Sequence, residues 1–163
     1  MKLWKYCVLA IGLFHWIASF AESSINTIGS NEGVAIRGYD TVAFFTEKKA
    51  VAGVPEYAYE WMGAKWLFAT QSNLALFKTN PEQYAPQYGG HCALGASYGF
   101  VSKKPTNGQF EVYGGKLYLF PPGIDGNPTG AKTAWWQSDG GPPGRIRSAD
   151  QYWPKLKESL EAK

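Results

Sequence analysis

Residues 87–100, QYGGHCALGASYGF, set His91 directly beside Cys92 behind two glycines. A thiolate is a nucleophile and a soft metal ligand, and an imidazole is a base or a ligand. The pair therefore opens onto metal binding, thiol redox chemistry, or plain packing. Reactivity follows if a helix starts near Gly90. Cys92 then lies in its first turn, where unpaired amide N–H groups and the positive end of the helix dipole lower a thiol pKa. Packing follows if the small apolar run CALGA lies against aromatic hairpins, because cysteine is among the most often buried residue types. Adjacent residues on a helix point about 100° apart, so both side chains face one small site only on irregular backbone.

Other donors are few. Met62 joins Cys92 and His91 in a soft set that suits Cu(I), although the three have no ligand spacing and Met62 falls in a turn. Tyr39 and Asp40, in GYD at 38–40, are further candidates, with Asp40 read first as a helix cap. A Cys-His dyad wants a third, orienting group, and the distant Asp40 is the one nominee, so the residues argue against a hydrolase and more generally against an enzyme. Trp135 and Trp136 either line a ligand cleft or close the core over a hairpin.

Residues 1–21 carry Lys2 and Lys5, an apolar run from Tyr6 to Phe20, and the small residues Ser19 and Ala21. This is the layout of a secretory signal peptide with cleavage after Ala21, and the run is short of the roughly twenty residues a membrane span needs. The expected destination is the periplasm or the exterior, with no stable membrane anchor after cleavage. Cys7 and His15 leave with the signal, so Cys92 cannot close a disulfide within its own chain. Without Lys2 and Lys5, the 16 basic residues become 14 against 13 acidic, a net of +1. That balance gives no footprint for nucleic acid or an anionic membrane. The aromatic content of 16% supplies the packing that replaces cross-links.

After a flexible lead-in at 22–33, a single domain is expected over 34–163. Tyr57, Tyr59 and Trp61 alternate with Glu56, Ala58 and Glu60 at the period of a half-buried strand, and Trp66 and Phe68 return in step after MGAK. Ser72 is the expected cap of a helix carrying Leu74 and Phe77, which Asn80-Pro81 ends before a short further turn with Tyr84 inward. HCALGASYGF runs as a short helix to Gly99. In QFEVYGGKLYLF, Phe110 and Val112 answer Leu117 and Leu119 across a YGGK turn. PPGIDGNPTG and GGPPGRIR are loops around a short helix with the two tryptophans, and Ser148 opens an amphipathic C-terminal helix. Two antiparallel β-hairpins interleaved with short helices make an α+β domain.

The run from Gly33 to Ala93, GVAIRGYDTVAFFTEKKAVAGVPEYAYEWMGAKWLFATQSNLALFKTNPEQYAPQYGGHCA, resembles the YHS domain as it occurs in an exported bacterial, selenoprotein-like group. GGKLYL and ADQYWPKL resemble the C-terminal extension of that group. The resemblance implies a core similar to treble-clef, heavy-metal-binding modules found beside copper pumps. It implies ligands at positions that look like Ala43 or Phe44, Ala69 and Asn73, none of which is a thiol here. It also places a cysteine after the double glycine, at Cys92. Three functions are therefore expected in turn: a binding module that ligates copper, another soft metal or a cofactor through Cys92 with or without His91; a thiol redox protein; or an interaction domain with an inert Cys92. A homodimer with shared ligands or an intermolecular disulfide is the expected assembly.

Overall fold

In β1 (Val54–Trp61), alternating tyrosines and a tryptophan put one face toward the interior, and β2 (Ala64–Phe68) pairs with it antiparallel through Trp61↔Ala64 and Tyr59↔Trp66. The computed structural model describes residues 23–30, 33–104, 106, 109–122 and 130–162. The expected signal segment 1–21 and most of the loop at 121–130 lie outside the described residues. Met62 and Gly63, at φ 49° and 70°, join the strands as a two-residue turn of the left-handed type that matches strand twist, so the expected four-residue MGAK turn gives Ala64 and Lys65 to β2. Ala64, Trp66 and Phe68 form the buried face.

A left-handed turn at Ala35–Gly38 leads through Asp40 into α1 (Ala43–Thr46). After β2 the chain is extended at Thr70, whose side chain accepts from the Asn73 N–H at 3.1 Å and starts α2 (Gln71–Thr79). Thr70, not Ser72, is therefore the cap, because the switch from extended to helical backbone falls there. Phe77 of α2 is fully buried, with Phe68 at 4.9 Å, Trp66 at 5.1 Å and Trp61 at 5.6 Å between ring centroids. Pro81 opens α3 (Pro81–Tyr84), where its missing N–H costs nothing, and Tyr84 sets its edge against Phe45.

The second hairpin, β3 (Gln109–Tyr113) and β4 (Lys116–Phe120), turns at Gly114 and Gly115 with Phe110↔Leu119 and Val112↔Leu117 in register. All of Leu117–Phe120 is buried. Alternation sends Leu117 and Leu119 into a core with Trp66 and Phe77, while Tyr118 and Phe120 enter a second core with Cys92 and Trp135. β4 is thus the partition between two cores. Cys92 opens α4 (Ala93–Ser97), and α5 (Gly130–Gln137) buries Trp135 against Tyr118 and Phe120 while leaving Trp136 exposed.

The last element, α6 (Gly141–Glu161), is longer than the helix expected from Ser148. Pro142 and Pro143 sit in its first turn, where no N–H is needed, and Ser148 is interior, donating to the Gly144 carbonyl at 3.2 Å. The fold is α+β, two two-stranded antiparallel sheets with helices between and after them. No helix among the described residues is long and apolar enough to cross a membrane.

Candidate functional site

The segment 86–92 lies beside β4, with Pro86 and Cys92 bridged in parallel to Leu117 and Leu119. Between them Tyr88, Gly89 and Gly90 take φ of 56°, 59° and 78°. Both glycines are required: a Cβ on Gly89 would strike the Ser24 carbonyl, and one on Gly90 would strike the Ile36 side chain. Tyr88 has no such freedom, and its left-handed backbone costs on the order of 1–2 kcal/mol. The surroundings hold it there. Its hydroxyl donates to Asp150 Oδ1 at 3.0 Å, and its ring meets Trp153 at 5.8 Å and Tyr118 at 6.1 Å.

The N-terminal segment fastens this corner from the other side. Where a flexible lead-in is expected, Ser24, Ile25 and Asn26 are buried. Asn26 N–H donates to the Gly89 carbonyl at 2.8 Å, and Asn26 Nδ2 donates to the Gly90 carbonyl and to Thr106 Oγ1, both at 3.0 Å.

Cys92 is 5% exposed and its Sγ accepts from the Gly95 N–H at 3.4 Å as the cap of α4. Burial raises the thiol pKa, against the lowering effect of the Gly95 and Leu94 N–H groups. The expected low-pKa thiol is therefore corrected. The helix is only five residues long and Cys92 precedes its first turn, so desolvation outweighs the helix end. His91 is outside the helix, extended and equally buried. Burial lowers its pKa to about 4, a backbone hydrogen bond with Ser24 acting the other way, and its Nδ1 has no partner. At neutral pH the ring is an uncharged imidazole.

The other expected site residues do not join this pair. Met62 is exposed at the tip of the first hairpin. Tyr39 is half-buried and bridges to Ala52. Asp40 is fully buried and caps α1, Oδ1 accepting from Val42 N–H at 2.9 Å and Ala43 N–H at 3.2 Å. Its Oδ2 accepts from Ala69 N–H at 2.8 Å and Asn73 Nδ2 at 2.7 Å. Four donors satisfy that carboxylate, which is what a buried charge without a cation requires.

Met62 instead lines a cleft of about 230 Å³ between the hairpin tip, the Pro86–Gly89 corner and α6. Its aromatic walls are Trp61, Tyr88 and Trp153, and its charged groups are Glu82, Asp150 and Lys157. Tyr88 and its neighbour Tyr118 are both held protonated: burial first and the Asp150 charge second push Tyr118 up to about 12 and Tyr88 further still. Sequence reasoning passed over this cleft. Asp150, Trp153 and Lys157 stand at i, i+3 and i+7, one stripe of the amphipathic helix expected from Ser148, but the sequence does not show that this stripe meets the first hairpin and the Pro86–Gly89 corner.

A family model described as the YHS domain matches the chain from Val42 to Tyr88. Residues 42–88 form a YHS domain. No curated protein and no solved structure matches the chain. The YHS domain ends on the strained Tyr88, so His91 and Cys92 lie just beyond the matched residues and the cleft lies where the domain meets α6. The positions that the resemblance gives to metal ligands surround Asp40: the carboxylate holds the N–H groups of Ala43 and Ala69 and the amide of Asn73. Two alanines, a buried phenylalanine and an asparagine already engaged do not fit a soft metal. Among the described residues no three His, Cys, Asp or Glu side chains group as ligands.

Proposed function

We propose that the chain is an exported YHS-type binding module whose ligand enters the cleft between the YHS domain and α6, with Cys92 acting as a packed helix cap. One observation carries this reading: a tyrosine held in left-handed backbone, with its hydroxyl on Asp150, lines an aromatic cleft. Strain of this kind persists where surrounding structure over-determines it, and it gathers at ligand sites. Aromatic walls with a few polar groups are also the usual make-up of a small-molecule site. Redox cycling at Cys92 finds no support in a buried thiol with a raised pKa.

Ligand-observed NMR with a panel of small polar-aromatic and ionic compounds tests the reading. Compounds that bind the wild type are expected to bind Cys92→Ser equally and to be lost in Trp153→Leu. Loss in Cys92→Ser, with Trp153→Leu unaffected, would return the function to the sulfur.

A second reading is favoured by the unpartnered Nδ1 of a neutral, buried His91 next to Cys92. YHS domains are associated in general with copper, and imidazole with thiolate is a donor pair for Cu(I), which would displace the thiol proton. On this reading wild-type protein prepared without chelator holds one Cu(I) per chain and Cys92→Ser holds none; equal copper in both would dismiss it.

A further inference from the structure

Resting on the cleft reading above, we infer that the ligand is a small organic cation, of the alkylated ammonium class. Three rings, Trp61, Tyr88 and Trp153, line the cleft, and ring faces attract a cation through their quadrupoles, tryptophan most strongly. The formal charge there is also negative. Glu82 and Asp150 supply two carboxylates against one ammonium, Lys157, which lies 3.7 Å from Glu161 one turn further along α6. The Tyr88 hydroxyl donates to Asp150 Oδ1, which fixes the position of that carboxylate at the cleft.

The helix adds a further acceptor at the same residue. Position 154 is proline, so the Asp150 backbone carbonyl lacks the N–H that would close its helical hydrogen bond. Asp150 thus lines the cleft with its carboxylate, on a turn whose carbonyl lacks the i+4 donor of a regular helix. Met62 at the rim is a polarizable thioether that suits N-methyl groups better than a hydrated ion. A bare metal cation is a poorer occupant, because the walls offer rings where it needs several oxygens. At about 230 Å³ the cleft is smaller than the roughly 300–1,000 Å³ of drug-sized sites, so the ligand has few heavy atoms.

The probes are tetramethylammonium and choline, with 3,3-dimethylbutanol as the uncharged isostere of choline, titrated into the full chain with tryptophan fluorescence and calorimetry as readouts. The expected result is saturable binding of both cations, at least tenfold weaker binding of the neutral isostere, and at least tenfold weakening of choline by Asp150→Asn. Glu82→Gln, on an exposed residue, is expected to weaken choline severalfold without changing the circular dichroism, so the inference stays testable if Asp150→Asn unfolds. Equal affinity for choline and its neutral isostere would overturn the cation while leaving the cleft as a site for apolar ligands. Binding of neither class would overturn the cation and the cleft reading together.

Discussion

His91 carries the clearest consequence at the scale of single residues. Its imidazole is uncharged in the fold, with a pKa lowered to about 4 by burial, against about 6.5 in the unfolded chain. Between those values the unfolded state binds the proton and the native state does not, so stability rises with pH through that window and is lost as pH falls from about 6.5 toward 4. The loss from this one group is about 3 kcal/mol. Urea unfolding of wild type and His91→Gln at pH 7 and at pH 4.5 reads it: the gap between the two pH values is expected to shrink markedly in the variant. An equal gap in both would mean that the proton reaches His91 in the native state. Cys92 shows the opposing outcome of the same physics, since desolvation raises a thiol as it lowers an imidazole. The sequence marked both residues through their isolation and the glycines before them. It could not weigh burial against a helix end, because that balance depends on the second core with Tyr118 and Trp135 that forms over Cys92.

The elements that were readable are those whose pattern is local. Tyr57, Tyr59 and Trp61 announce a strand because period two needs no distant partner, and YGGK announces a turn because two glycines take positive φ without cost. The start of α6 was hidden, since GGPPG reads as loop until the prolines are placed in a first turn. The 87–90 corner was hidden for a different reason: nothing in QYGG tells that tyrosine joins the glycines in left-handed backbone, because Asp150, Trp153 and the Ser24–Asn26 strap impose it from far along the chain. A pair of substitutions separates these two uses of glycine. Gly114→Ala meets open space and costs only its positive φ, about 1 kcal/mol. Gly89→Ala pays the same and drives its Cβ into the backbone carbonyl of Ser24, so at least about 3 kcal/mol is expected in denaturant unfolding. Equal costs would mean that the strap yields and does not brace the corner.

At the scale of the whole molecule, β4 divides the interior into two cores, the YHS domain supplying most of the first and α4 to α6 the second. The cleft straddles that division, with Trp61, Glu82 and Tyr88 from the YHS domain and Asp150 and Trp153 from α6. A ligand there would tie the two parts together, while inside the first part Asp40 joins the N–H groups of Ala43 and Ala69 and the amide of Asn73. The direct measurement of this account is a two-dimensional NMR spectrum of the tryptophan indole N–H groups during addition of tetramethylammonium. Trp61 and Trp153 are expected to shift in parallel and saturate together, while the buried Trp66 and Trp135 stay in place. Saturable shifts confined to Trp135 and Trp136, or none at any indole, would contradict it.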